Sequence, residues 1–334
     1  MSNFTITIVG TGVIGTSLAM ALKQNDDPPR LIAHDKDLTT AKEATKMGAF
    51  DKVEWNLVNA CEQADMVVLA IPLNGVKPTL EAIGPYLKEN AVVTDTCPSK
   101  KIVLDWANEI LPDTVHFVGG NPVVHPAGSG YKNAGATLFK DRLYCLTPAA
   151  KAHEDAVEVL TGLISLVGGE PFFLDATEHD GLMTAVEHLP SLLGVALVNT
   201  LSEQNSWREL RKLAGGTFGQ ASAGADGDPD GLKDNYRENK DMLLRWLDSY
   251  TVQLSRLRTL IDSDENNAGE QLAQTIDEAV VARTNWLKDY QSGDFKDPEL
   301  EALSSSSVEM PGFFGRMVGF GGRRKKEPDS DKRK

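Results

Sequence analysis

A chain of 334 residues, 41% hydrophobic and 25% charged, has apolar material for two cores, which excludes disorder over most of its length. Its formal net charge of −14 sets the surface against nucleic-acid backbones and anionic membranes, so a general nucleic-acid binder is excluded. Cys61, Cys97 and Cys145 stand far apart without metal-ligand spacing, so no metal is expected. With no secretory signal and no apolar run near eighteen residues, the expectation is a cytoplasmic protein lacking a transmembrane segment.

In chain order, short β-branched runs at 5–9, 31–34, 66–71, 91–95, 115–118 and 143–147 alternate with helical patterns. Strands separated by helices predict an α/β Rossmann domain, a doubly wound parallel sheet. A helix over 149–167 is expected to end at Gly168-Gly169, and a short apolar run follows at 172–174. From Thr177 the pattern turns to helical periodicity, with helices expected over 177–204, 231–261 and 268–290 around a Gly- and Asp-rich stretch at 215–230.

The expected organisation is a dinucleotide-binding domain of residues 1–174, an all-α dimerisation and substrate domain of residues 175–295, and a low-complexity basic tail of residues 296–334. Leu182, Val186, Leu189, Leu193 and Leu197 form one apolar stripe, and Leu243, Leu244, Leu247 and Leu254 another; structural core is the expected role of both. The tail runs through four serines and an apolar-aromatic stretch to Arg323-Arg-Lys-Lys, which reads as a flexible segment; peripheral contact with a membrane surface or partner is the alternative.

Gly10-Thr11-Gly12-Val13-Ile14-Gly15 follows the first strand directly and opens a helix. That context makes it a dinucleotide fingerprint: Gly10 for the tight turn, Gly12 for close approach to the pyrophosphate, Gly15 for helix packing, with Val13 and Ile14 at the helix N-terminus. Asp35, at the end of the next strand, is placed to accept hydrogen bonds from the ribose 2′-hydroxyl, which favours NAD over NADP. Pro72, after the run 67–71, either lines the cofactor or simply stops its strand.

Several further segments, in order and spacing, resemble the prephenate and arogenate dehydrogenase family: Thr94-Asp95-Thr-Cys-Pro-Ser-Lys100, Phe117-Val-Gly-Gly120, Leu138-Phe139 with Leu146-Thr-Pro148, Glu178-His-Asp180, His188-Leu-Pro190, and Asp228-Pro229 with Asn239. The resemblance covers about residues 5–262. It implies a homodimer pairing Rossmann domains with a helical core, in which NAD takes hydride from a cyclic alcohol of tyrosine biosynthesis.

In that family a histidine after Gly-Gly accepts a hydrogen bond from the ring hydroxyl; ungapped counting puts Asn121 there. Asn121 hydrogen-bonds but takes no proton near neutral pH, so His125, four residues on, is the acid–base candidate, with a backbone-bonded loop histidine as its alternative. The family serine that touches the hydroxyl falls on Pro98, leaving Ser99 as stand-in. His188 survives as a polar group facing the cleft, Ser191 replaces a second histidine, and Ala223 stands where an arginine grips a carboxylate; Arg208, Arg211 or Lys212 are the cations available to replace it. These departures keep two other readings open: a paralogue oxidising a different hydroxy acid, and a non-catalytic NAD-binding sensor.

Overall fold

The structure is a computed structural model and describes residues 4–226 and 229–292. Eight strands form one sheet: β1 (Thr5–Val9), β2 (Arg30–His34), β3 (Lys52–Val53), β4 (Met66–Leu69), β5 (Val92–Asp95), β6 (His116–Pro122), β7 (Leu143–Pro148) and β8 (Glu170–Phe173). Their order is β3-β2-β1-β4-β5-β6-β7-β8, parallel except where β6 meets β7. Between them run α1 (Val13–Leu22), α2 (Leu38–Lys46), α3 (Leu57–Cys61), α4 (Leu73–Ile83), α5 (Lys101–Ile110) and α6 (Glu154–Leu166).

Period-two alternation sends Ile6, Ile8, Met66 and Val68 to one face, against Leu18 and Leu22 of α1 and Leu160 and Leu163 of α6. Val67, Leu69 and Val93 pack on the other, against Val76 and Leu80 of α4 and Val103 of α5. Both faces are covered, which is why these strands read as continuous apolar runs. The chain order reverses between β1 and β4, and register aligns Val9 with His34 and with Leu69. Residues 10, 35 and 70 therefore leave the sheet at one edge, where open α/β sheets hold ligands.

The second half begins at Asp175, whose carboxylate accepts from the N–H groups of Thr177 (2.8 Å) and Glu178 (3.3 Å) and so caps α7 (Ala176–Met183). One wide π-helical turn, Thr184–His188, joins α7 to α8 (Leu189–Ser202). Pro190 accounts for it: proline removes a donor and crowds the preceding turn, which opens to accommodate it. Then come α9 (Trp207–Leu213), α10 (Gly216–Ser222), α11 (Pro229–Glu238), α12 (Lys240–Asp262) and α13 (Ala268–Ser292).

Four details differ from the sequence expectation. The short edge strand β3 and the helices α9 and α10 form in segments too short or too glycine-rich to show periodicity. The helix expected from 149 starts at Glu154, because Ala149 still donates to Phe117 across the sheet (3.2 Å). The helix expected over 231–261 is two helices meeting at Asn239. The apolar stripes are only partly protomer core: Leu243 is buried and Leu189, Leu193, Leu197 and Leu247 are half-buried, while Leu182, Val186, Leu244 and Leu254 are 46–65% exposed, with no further layer over them among the described residues.

By length and composition, the 27 residues Ala176–Ser202 are apolar enough to cross a membrane. The same rod carries buried His179, Asp180, Thr184 and His188, and Asp180 bonds the first domain, which a bilayer span could not do. The basic tail lies outside the described residues.

Candidate active site

At the carboxyl edge, Gly10 adopts a φ of 98°, in the left-handed region. A side chain there would meet the Ala70 carbonyl oxygen at 2.2 Å, and a Cβ on Gly15 would meet the Gly10 oxygen at 2.1 Å. Both contacts are backbone, so neither position accepts a larger residue. Gly12 instead faces open space, with nothing within 4 Å of its would-be Cβ. That space borders the free N–H groups of α1, with half-buried Val13 and Ile14 beside it, and it fits a dinucleotide pyrophosphate.

Half-buried Asp35 accepts from Thr11 N (2.7 Å), Thr11 Oγ1 (2.9 Å) and Asp37 N (2.9 Å). The carboxylate thus rigidifies the glycine turn from the next strand. Pro72 precedes α4 in extended backbone, ending the β4 segment on this edge.

A second set of buried polar groups joins the two domains. Lys100 and Asp95 form an ion pair with both side chains fully buried, and Lys100 Nζ also donates to the Gly120 carbonyl (2.7 Å). Asp95 accepts further from Cys97 N (3.0 Å) and Gly120 N (3.2 Å), so the end of β6 is tied to the end of β5. Asp180, from α7, accepts from Lys100 N (2.6 Å) and Lys101 N (2.9 Å) at the start of α5. Its Oδ1 also faces His179 Nδ1 (2.9 Å), and His179 Nε2 faces Asn121 Nδ2 (3.1 Å). Asn121 is 5% exposed and His179 fully buried.

Ser99 is also fully buried, and its Oγ accepts from Asn239 Nδ2 (2.8 Å), a second bond between domains. Pro98 beside it is half-buried. His125 is exposed in the loop after β6, close enough to Glu187 to favour that carboxylate, whose titration burial pushes up. Ser191 Oγ donates to the Gly224 carbonyl (2.7 Å) and lies 2.8 Å from the Tyr236 hydroxyl. Ala223 is exposed, and Arg208, Arg211 and Lys212 are exposed on α9.

His188 is 4% exposed, and neither ring nitrogen has a partner among the described residues. Burial holds its titration below the ordinary histidine range; nearby Asp180 opposes this and His179 adds to it. The folded ring keeps its neutral form to lower pH than the unfolded chain, in which the histidine protonates below about pH 6.5. Stability is therefore full above that value and falls as pH drops below it. His188→Phe removes the group, so its urea midpoint should fall less than that of the wild type between about pH 7 and about pH 5.5. Parallel losses in both proteins would contradict this.

Comparison with known families agrees with the geometry. The domain model "Prephenate dehydrogenase, nucleotide-binding domain" matches residues 18–172, and "Prephenate dehydrogenase, dimerization domain" matches residues 175–278. The chain belongs to the prephenate dehydrogenase family.

Within that family, a prephenate dehydrogenase of Bacillus subtilis is 29% identical over 263 residues, covering 78% of this chain and 71% of its own. A cyclohexadienyl dehydrogenase of Zymomonas mobilis is 28% identical over 280 residues, 83% of this chain and 94% of its own. The crystal structure of prephenate dehydrogenase from Aquifex aeolicus, with hydroxyphenyl propionate and NAD+, superposes with a TM-score of 0.78 at 26% identity, over 85% of this chain and 99% of that one.

Set against the sequence reading, the fold brings Gly10, Gly12, Gly15, Asp35 and Pro72 to the same sheet edge as Asn121. Ser99 stands in the wall between domains, and His125 in the loop above. His179, Asp180, Asp95, Lys100 and Asn239 lie in segments that carry the family resemblance, yet sequence reasoning assigned them no role. The short polar runs at 94–100 and 177–180, which interrupt apolar strand and helix patterns, are the signal the sequence carries for the first four; Asn239 stands in a polar stretch that marks nothing.

Proposed function

We propose that this chain is an NAD-dependent dehydrogenase of the prephenate and arogenate type, acting in tyrosine biosynthesis. One observation carries the reading: the glycine turn and the buried Asn121–His179–Asp180 chain open on one edge of the sheet, between two domains that match one enzyme family. When bound, NAD supplies the hydride acceptor. Gly10, Gly12, Val13, Ile14 and Gly15 hold its pyrophosphate, Pro72 borders it, and Asp35 accepts from the ribose hydroxyls. Asn121 meets the substrate hydroxyl and Ser99 fixes the wall, whereas His188, expected from the sequence to face the cleft, has both ring nitrogens sealed from solvent and stays in the interior.

The test is nicotinamide reduction by the full chain with prephenate, arogenate and a panel of hydroxy acids. Turnover of either of the first two is expected, with NAD favoured over NADP by roughly tenfold or more, a difference of about 1.4 kcal/mol. Asp35→Ala should erase that preference, since it removes the charge set against a 2′-phosphate. Turnover confined to another hydroxy acid would support the paralogue reading, which Ala223 and Ser191 favour because neither grips a carboxylate as arginine or histidine does. Nicotinamide binding without turnover of any compound would move the reading to a sensor.

In this reading the domains divide at Asp175 and the protein is a cytoplasmic homodimer. Leu182, Val186, Leu244, Trp246, Val280 and Val281 supply its exposed apolar faces, and the three buried free cysteines suit a reducing compartment. Sedimentation at micromolar concentration should give twice the chain mass; a monomer would exclude it.

A further inference from the structure

We propose that His179 and Asp180 are positioning residues that turn the Asn121 carboxamide so that its oxygen, not its NH2, meets the substrate hydroxyl. This rests on the proposed dehydrogenase reading and specifies how a residue that cannot take a proton serves it.

The orientation follows from what each atom is able to do. Asp180 already accepts two backbone N–H groups at the start of α5, so its carboxylate acts as an acceptor toward His179. His179 Nδ1 therefore carries the ring proton, which leaves Nε2 a lone pair. A lone pair requires a donor opposite, and that donor is Asn121 Nδ2 at 3.1 Å. Oδ1 is the remaining amide atom. Among the described residues it has no hydrogen-bond partner, and it is not one of the polar atoms sealed from solvent, so it lies on the open side.

An acceptor that never takes the proton suits one class of alcohol. In an oxidative decarboxylation that aromatises the ring, the C–H electron pair leaves as hydride to the nicotinamide. The ring carboxylate departs as carbon dioxide, and its bonding pair completes the aromatic system. The hydroxyl keeps its proton and ends as a phenol O–H, so atoms and charge balance without a base. A simple alcohol becoming a ketone must lose that proton. The site is thus matched to a ring whose aromatisation drives the step.

The arrangement predicts its own reversal. If His179 gains a second proton, Nε2 becomes a donor, the amide must turn over, and its NH2 faces the cleft. The charged or titratable groups facing His179 are Asp180 beside it and Glu187 and His188 on the π-helical turn.

The test uses the full chain and has two arms. In 15N spectra at alkaline pH, His179 should be neutral with its proton on Nδ1, and the Asn121 side-chain amide signals should shift on acidification. His179→Gln, which puts an amide acceptor near the Nε2 position, should abolish that shift. In turnover with prephenate or arogenate, His179→Phe should lower kcat by about 10- to 100-fold, the scale of a misplaced reacting group, with NAD affinity unchanged. His179→Gln should restore most of kcat, since its amide can take the acceptor position that His179 Nε2 offers Asn121 Nδ2. A proton on Nε2 in the neutral protein, or a His179→Phe variant as active as wild type, overturns the proposal. If neither substrate is turned over while the tautomer and the amide response hold, the positioning of Asn121 stands and the dehydrogenase reading falls.

Discussion

Lys100→Met is expected to destabilise the protein by about 3–5 kcal/mol, the usual cost of leaving one partner of a buried ion pair alone. Methionine nearly matches the length of the lysine stem, so the effect is one of charge and not of volume. In the wild type Nζ is enclosed by Asp95 and the Gly120 carbonyl, with neither side chain open to solvent. Without it the Asp95 carboxylate keeps two backbone N–H donors, from Cys97 and Gly120, and loses its only cationic partner among the described residues. At roughly 2–4 °C per kcal/mol for a domain of this size, the melting temperature should drop by roughly 6–20 °C. Asp95→Asn in the Lys100→Met background should recover much of the loss, because it removes the stranded charge. A Lys100→Met variant with an unchanged urea midpoint would show that the pair does not hold the strand ends together. The same change should loosen the β6 terminus and lower turnover more than NAD binding, since Asn121 follows Gly120 while the glycine turn lies three strands away.

The parts of the fold legible in the sequence are those whose signal is local. β1, β4 and β5 are continuous β-branched runs because both sheet faces are covered, and the glycine turn announces itself because its strain and its crowding against Ala70 allow only glycine. The direction of β7 is not legible. Its run looks like its neighbours', and antiparallel pairing with β6 is decided by where the 123–142 loop returns the chain. The wide turn at Thr184–His188 depends on how Pro190 is accommodated, which periodicity does not reveal. At the site, Asp35 is legible because the fingerprint fixes its distance from the glycines. The chain from Asn121 to His179 is not, because 58 residues separate the two and neither type is diagnostic alone. From the sequence, position 121 reads as a family histidine replaced by asparagine; the His179 ring hydrogen-bonded to it becomes visible only once α7 is docked on α5.

Asn121→Ala should lower kcat on prephenate or arogenate by about 10²- to 10³-fold, the range for deleting one preorganised hydrogen-bonding group at a reacting oxygen. It should also cost about 1–3 kcal/mol of stability, because the His179 lone pair is left buried without a donor. His125 is the competing candidate, and its exposed loop position gives the contrast. If His125 drew the proton away, His125→Ala would lower kcat by about 10²- to 10⁴-fold and Asn121→Ala would be the milder change. The geometry favours the opposite ranking, with His125→Ala within about tenfold of wild type, short of the loss of a catalytic base. Asn121→His completes the set. The larger ring must share its space with His179, and Gly120 beside it is already crowded, since a Cβ there would meet Asp95 O at 2.7 Å. Higher activity on prephenate or arogenate would show that the cleft still fits the family's residue and that Asn121 limits the rate. Lower activity with intact NAD binding would show that the cleft has closed around the amide and its histidine support.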